Sequence, residues 1–396
     1  MTQIGFVGLG KMGGNMVRRV RRDSEHEVVA FDFERAAVQR AVKSGAEGAR
    51  SLKDLAKALR PPRMVWLMVP AGDPTQETVD ALAKLLDRGD MIIDGGNSRW
   101  TDDKRRAKAL RPAGIDYVDV GVSGGVWGLE VGYCMMVGGP PKAVRRLAPI
   151  LDVLAPPTNE QSRAAIGPRG WLHFGGPGAG HYVKMVHNGI EYGLMQAYAE
   201  GFDVLDKCEY ELDKAKIAHL WGQGSVVRSW LCELAALAFE ADGNGLERIT
   251  GYTADSGEGR WTIADATAHD VPTPVITASL YERMRSRGSG DFADRVLAAL
   301  RNQFGGHAVQ SAGRAPSQAA AGGKGGVRGK AAAGGKAAAG GKGRARGKGR
   351  ARGKAAARGK GAARGKGGVR GQAAGRGKVA ARGKAAARGK GARAGS

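Results

Sequence analysis

The chain has 396 residues, enough for two or three domains with buried cores, and a formal net charge of +24. That charge points to a nucleic-acid-binding protein only until it is localised. Residues 311–396 hold 24 Lys and Arg and no Asp or Glu, so the rest of the chain balances 38 basic against 38 acidic residues.

Three cysteines, Cys134, Cys208 and Cys232, have no CxxC or CxxH spacing. This argues against a disulfide framework or a zinc site and fits a reducing cytoplasm; no metal is expected. The chain enters a strand pattern at once, with no basic and apolar leader. No apolar run reaches the roughly 18 residues that a membrane span needs. The expectation is a soluble, cytoplasmic protein with no membrane partner.

Strand patterns follow in order: IGFVG (4–8), EVVAFD (27–32), MVWLMVP (64–70), MIIDGG (91–96), IDYVDVGVS (115–123) and YCMMVGG (133–139). Helical stretches such as NMVRRVRR and TVDALAKLLDRG lie between several of them. Such alternation predicts an α/β fold, a Rossmann-like doubly wound sheet, over residues 1–174. From 175 to 310 strand signals vanish and long helical patterns take over, which predicts a second, all-α domain. Residues 311–396 repeat Ala, Gly, Lys and Arg in units such as AAARGKG, without aromatics and with Val as the one large aliphatic. A segment of this kind cannot bury enough apolar surface to offset its ordering entropy, so a disordered basic low-complexity tail is expected.

The first strand runs into GLGKMGGN, in which Gly8, Gly10 and Gly13 satisfy G-x-G-x-x-G. The first glycine allows the tight turn, the second lets a pyrophosphate approach the backbone, and the third permits close strand–helix packing. Asp32 closes the second strand, where an acidic side chain accepts hydrogen bonds from the adenosine ribose hydroxyls. Its charge favours NAD over NADP, although nearby Arg35 leaves room for NADP. Three further segments end at the sheet's carboxyl edge, where doubly wound folds bind ligands: VPAG with Val69 and Pro70, IDGGNS with Asn97, and GVSGG with Ser123, Gly124 and Gly125. Asn97 and Ser123 are the side chains placed to hold a polyhydroxylated substrate.

In HYVKMVHNGIEYG, Lys184, His187, Asn188 and Glu191 fall at i, i+3, i+4 and i+7 and so share one helical face over two turns. Charged residues so spaced are usually a solvated face. Here Gly180 and Gly189 interrupt the helix pattern, and close approach of a ligand or another backbone would explain them.

GLGKMGGN, IDGGNS, GVSGG and above all GAGHYVKMVHNGIEYGLMQ resemble 6-phosphogluconate dehydrogenase, the decarboxylating enzyme of the pentose phosphate pathway. The resemblance covers residues 1 to about 310 and is nearest to the short-chain form. It implies NAD(P)-linked oxidation at C3 of 6-phosphogluconate, loss of carbon dioxide and release of ribulose 5-phosphate. Lys184 matches the base and Glu191 the general acid that protonates the enediol. His187 and Asn188 match residues that hold the substrate, Tyr192 a phosphate contact, and Arg283 a phosphate-binding arginine. In LRNQFGGH, Arg301 and His307 match residues that reach into the neighbouring subunit's site, which implies a homo-oligomer, at least a dimer. One departure stands out: Ser256 and Glu258 occupy positions where the longer enzymes carry a lysine and a threonine. Either Arg260, Arg283 and Arg301 compensate, or the substrate lacks a phosphate.

The tail resembles those of linker histones and some nucleoid proteins and has the capacity to bind nucleic acid or another polyanion without sequence preference. Two other readings stay open. One is a different β-hydroxyacid dehydrogenase acting on an unphosphorylated sugar acid. The other is a polyanion-binding protein with a vestigial Rossmann domain.

Overall fold

The structure is a computed structural model that describes residues 1–157, 170–288 and 290–305. The expected tail (311–396), His307 and the Arg301 side chain lie outside what the structure describes.

Eight strands form one sheet: β1 (Gln3–Val7), β2 (Glu27–Phe31), β3 (Glu47–Gly48), β4 (Met64–Leu67), β5 (Met91–Asp94), β6 (Asp116–Ser123), β7 (Cys134–Gly138) and β8 (Trp171–Gly175). Their spatial order is β3-β2-β1-β4-β5-β6-β7-β8. All pairings are parallel except β6 with β7, which runs antiparallel with Asp119 opposite Gly138 and Ser123 opposite Cys134. Order reverses between β1 and β4, and a crevice opens at such a switch point because the flanking helices leave in opposite directions. The doubly wound fold and the helical portion that follows agree with the sequence patterns. Two strands, β3 and β8, did not show in those patterns.

The alternation of each strand explains the two cores. Ile4, Phe6, Met91, Ile93, Val118 and Val120 face helices α1 (Lys11–Asp23), α2 (Arg35–Lys43) and, beyond the short α6 (Gly128–Val131), α7 (Pro141–Leu154). Val7, Val65, Leu67 and Ile92 face α3 (Leu52–Ala58), α4 (Asp73–Ala83) and α5 (Trp100–Leu110). With both faces covered, central strands can be continuously apolar, as β4 is over Met64–Leu67.

Among the described residues, six helices follow: α8 (Ala179–Asp206), α9 (Lys214–Gly222), α10 (Trp230–Asp242), α11 (Glu258–Ala268), α12 (Pro274–Arg285) and α13 (Asp291–Gly305). A separate core of Phe202, Ala218, Cys232, Ala236 and Phe239 joins α8 to α9 and α10. Among the described residues, no helix is long and apolar enough to cross a membrane.

The start of α8 is held against the sheet by buried polar groups. Asp119 of β6 accepts the backbone N–H of Gly178 at 2.6 Å and of His181 at 2.9 Å, capping the helix from another element. His181 places Nδ1 2.7 Å from Asp103 of α5. Asp94, at the end of β5, receives Arg106 at 3.1 Å and Ser98 at 2.7 Å. Asp94, Asp103 and His181 are close enough to one another to suit a metal, but Arg106 already supplies positive charge there.

Burial opposes charge on His181, yet the Asp103 carboxylate, with Asp94 and Asp119 behind it, outweighs burial and lifts the imidazole to about 10. Burial lifts Asp103 to about 6, with His181 opposing. Above about pH 7 Asp103 is ionised whether the chain is folded or not, so the window from neutrality to about pH 10 belongs to His181. There the folded state keeps a proton that the unfolded state releases, so stability falls as pH rises. Chemical denaturation of the wild type should show a loss on the order of 1 kcal/mol per pH unit across that window, relative to His181→Gln. A difference that does not vary with pH would contradict a protonated His181.

Candidate active site

The crevice at the switch point is a cleft of about 860 Å³ lined by Gly8, Gly10, Gly13, Asp32, Val69, Pro70 and Asn97, the residues singled out for cofactor binding. The three motif glycines answer to different constraints. Gly8 has φ +91°, and a Cβ there would overlap the Met68 carbonyl; at Gly13 it would overlap the Gly8 carbonyl oxygen. A Cβ at Gly10 would meet nothing within 4 Å. Gly10 also N-caps α1 without a side chain, leaving first-turn N–H groups open to an anion. The cradle therefore fits a dinucleotide pyrophosphate at Gly10, while Gly8 and Gly13 serve packing.

Asp32 accepts the N–H of Leu9 at 2.6 Å and of Glu34 at 2.7 Å, one on each oxygen. It pins two turns together, and each oxygen retains a lone pair for a ribose hydroxyl. Arg35 is exposed and lines an adjacent cavity with Lys43, Arg50 and Lys53.

The start of helix α8 lies across the paired strands β6 and β7. A Cβ at Gly180 would overlap the Met136 carbonyl, and one at Gly121 would overlap the Lys184 side chain. This close approach sets Lys184 beside β6, which ends at Ser123 just before Gly124 and Gly125. Lys184 is 5% exposed, and its Nζ donates to Asn188 Oδ1 at 2.6 Å. His187 Nδ1 lies 2.9 Å from the same oxygen. Burial pulls the Lys184 amine below the ordinary lysine range, opposed by Glu258, Glu191 and Cys134. Glu191 is half-buried, 3.8 Å from His187 Nδ1.

At the far end of this face, Tyr192 is buried, with its hydroxyl 3.2 Å from Ser256 Oγ and 3.1 Å from Ser256 N. The Arg283 guanidinium stacks 3.5 Å from the centre of the Tyr192 ring and donates to Ala254 O at 2.9 Å. Arg260 makes a two-point contact with Asp255, and Arg287 donates to the same carboxylate at 2.9 Å. Hydrogen bonding from Arg260 and Arg287 holds Asp255 well below the usual carboxylate range. Arg260 therefore faces an internal anion and does not replace the lysine missing at Ser256. Ser256 also lines the dinucleotide cleft, which links α11 to it.

Residues 3–165 match the NAD binding domain of 6-phosphogluconate dehydrogenase, and residues 180–311 match that enzyme's C-terminal domain. An NAD(+)-dependent, decarboxylating 6-phosphogluconate dehydrogenase of Haloferax volcanii is 45% identical over 307 residues, covering 78% of this chain and 98% of the relative. The chain belongs to the 6-phosphogluconate dehydrogenase family. A Bacillus subtilis enzyme of the same description is 36% identical over 297 residues, but the match covers 61% of its length and 72% of this chain. A solved Plasmodium falciparum 6-phosphogluconate dehydrogenase superimposes with a TM-score of 0.65 at 27% identity, over 76% of this chain and 65% of its own. The chain thus has the extent of the Haloferax relative, followed by the basic tail.

Of the family residues expected at the site, Lys184, His187 and Asn188 come together by hydrogen bonds, and Tyr192 and Arg283 by stacking. Asn97 lines the dinucleotide cleft together with Val122, the neighbour of Ser123. Gly180 meets backbone as expected. Gly189 departs from expectation, since it makes room for the Thr262 side chain of α11 and not for a ligand or a backbone.

Sequence reasoning missed the burial of Glu258 and the cap at Asp119. The second left a signal: in DVGVS, Asp119, Gly121 and Ser123 alternate with Val120 and Val122, so one strand face is polar or small. Gly10→Ala should leave thermal stability within about 0.5 kcal/mol of wild type while weakening NAD binding by roughly tenfold or more in calorimetry. Unchanged NAD affinity would show that the cradle at Gly10 is not where the cofactor sits.

Proposed function

We propose that the protein oxidatively decarboxylates 6-phosphogluconate to ribulose 5-phosphate, with NAD preferred over NADP. The observation that carries this reading is the buried Lys184, hydrogen-bonded to Asn188 on a helix packed against the strand end that borders the dinucleotide cleft. The named activity of the Haloferax and Bacillus relatives supports it. Asp32, an anion at the ribose end of the cleft, supports the preference for NAD.

A bound nicotinamide dinucleotide supplies the hydride acceptor, held by Gly10 and the N–H groups of α1, with Asp32 on the ribose. Lys184 takes the hydroxyl proton of C3. Burial suits it to this task, because an amine must be neutral to act as base. Protonated, Lys184 then donates to the ketone oxygen, and the β-keto acid loses carbon dioxide. Glu191, two turns along the same face, protonates C1 of the enediol while Lys184 takes back the hydroxyl proton, which leaves the ketone; the Glu191 carboxyl must carry a proton for that step. Asn97, Ser123, Gly124, Gly125, His187 and Asn188 hold the hydroxyl and carboxylate groups. Tyr192 and Arg283 receive the phosphate, with Arg301 and His307 supplied by a second copy of the chain. Exposed Ile190, Leu194, Tyr281, Phe292 and Leu297 in the helical portion support such a homo-oligomer.

A second reading, oxidation of the unphosphorylated sugar acid, is favoured by one observation. A buried carboxylate, Glu258, lies next to the expected phosphate contacts while Asp255 occupies Arg260 and Arg287.

Following NADH and carbon dioxide together in the wild type tests both readings. The proposed reaction yields the two in equal amounts from 6-phosphogluconate, with kcat/KM for NAD at least about tenfold above NADP. Equal kcat/KM for gluconate would favour the second reading, and NADH without carbon dioxide would sink the decarboxylase. Lys184→Met should lower kcat by roughly 10²–10⁴-fold. A fully active monomer by sedimentation would remove the shared site.

A further inference from the structure

Glu258 takes no part in the steps above, yet it is built into the same group of side chains. It is the first residue of α11 and only 2% exposed. Its Oε2 accepts from the Asn188 side-chain amide and from Ser256 Oγ at 3.2 Å. Asn188 is thus engaged at both ends. Its oxygen takes the Lys184 ammonium and its nitrogen donates to Glu258. The chemistry of the partners fixes that orientation, since an ammonium can only donate and a carboxylate can only accept.

Desolvation alone would leave Lys184 a feeble base, because a dry site disfavours the ammonium that forms when the proton arrives. A fixed anion one amide away offsets this. Among the described residues, the groups facing Lys184 are His187, Asn188 and Glu191 from its own helix, Cys134 from β7 and Glu258 from α11. Glu191 is half-exposed, so solvent screens it; Cys134 is exposed, and partial desolvation raises its thiol, which keeps it neutral. Glu258 is the one deeply buried carboxylate among them. Burial raises its pKa, while Lys184, Asn188, Ser256 and the His181 imidazolium all favour its ionised form.

We propose that Glu258 is the counter-charge of Lys184, a positioning residue that acts through Asn188 to aim the amine and to stabilise the ammonium formed when Lys184 accepts the substrate's hydroxyl proton. The proton moves from the hydroxyl oxygen to Lys184 Nζ, and Asn188 and Glu258 exchange none. This inference rests on Lys184 being the base.

The test is a titration of the full-length, ligand-free protein by NMR of ¹³Cε-labelled lysine, with the Lys184 signal identified by its loss in Lys184→Met. Glu258→Gln keeps the shape and removes the charge, and it should lower the Lys184 midpoint by about one pH unit or more. Glu258→Asp, which keeps the charge, should stay close to wild type. The acidic limb of kcat/KM should move down with the Lys184 midpoint, and kcat on the plateau should fall by roughly tenfold. An unmoved Lys184 midpoint in Glu258→Gln, even with activity lost, overturns the proposal and leaves Glu258 a structural group. Should Glu258→Gln not fold, the coupling can be read from the other side, because it is reciprocal. In ¹³Cδ-glutamate spectra, Lys184→Met should raise the Glu258 midpoint by a similar amount, and no rise overturns the proposal. A wild type that makes no NADH from 6-phosphogluconate, yet shows the expected midpoint shift, would refute the assigned reaction and uphold the counter-charge.

Discussion

Asp119 joins the two halves of the structure. One buried carboxylate at mid-strand accepts two N–H groups from the first turn of α8, so a helix of about 42 Å begins at a fixed point on the sheet. The cap is electrostatically sensible, since an anion meets the positive end of a long helix dipole. It is also sterically demanding. Gly121, Gly138 and Gly180 must all lack a Cβ for the backbones to come this close. Lys184 stands one turn beyond the cap, so anchoring the helix start places the amine beside the dinucleotide cleft.

The site keeps its charges paired internally. Asp94 with Arg106 and Asp103 with His181 form a buried polar layer beneath the cap. Asp255 gathers Arg260 and Arg287 on the opposite side. Breaking any such pair would leave an uncompensated buried charge, at a cost of about 3–5 kcal/mol for the fully buried pairs. Rigidity of this kind suits proton transfer, where small displacements of the base are expensive in rate.

Much of this was legible in the residues. The parallel strands announced themselves because burial on both faces demands continuous apolar runs, as in MVWL, and the polar face of α8 because its side chains recur with helical spacing. The two missed strands explain themselves. Glu47–Gly48 is two exposed residues with no apolar signal, and Trp171–Gly175 is an edge strand whose alternate residues face solvent. Glu258 was read only as an added anion near a phosphate. Its burial comes from α11 packing on α8, about 70 residues away in sequence, and no local pattern records that. The steric constraints at Gly8 and Gly13 were legible, whereas the neighbour of Gly189 was not, because a glycine in a helix does not reveal whether a ligand, a backbone or a side chain fills its space.

The most direct measurement is steady-state kinetics of Asp119→Asn alongside its affinity for NAD. An asparagine offers one acceptor where the helix start needs two, so α8 should lose its fixed position while the dinucleotide cleft is untouched. The expected result is a fall in kcat of at least about tenfold with the dissociation constant for NAD within about twofold of wild type. Wild-type kcat in a folded Asp119→Asn protein would contradict the claim that the cap on α8 sets the position of Lys184 for the proposed reaction.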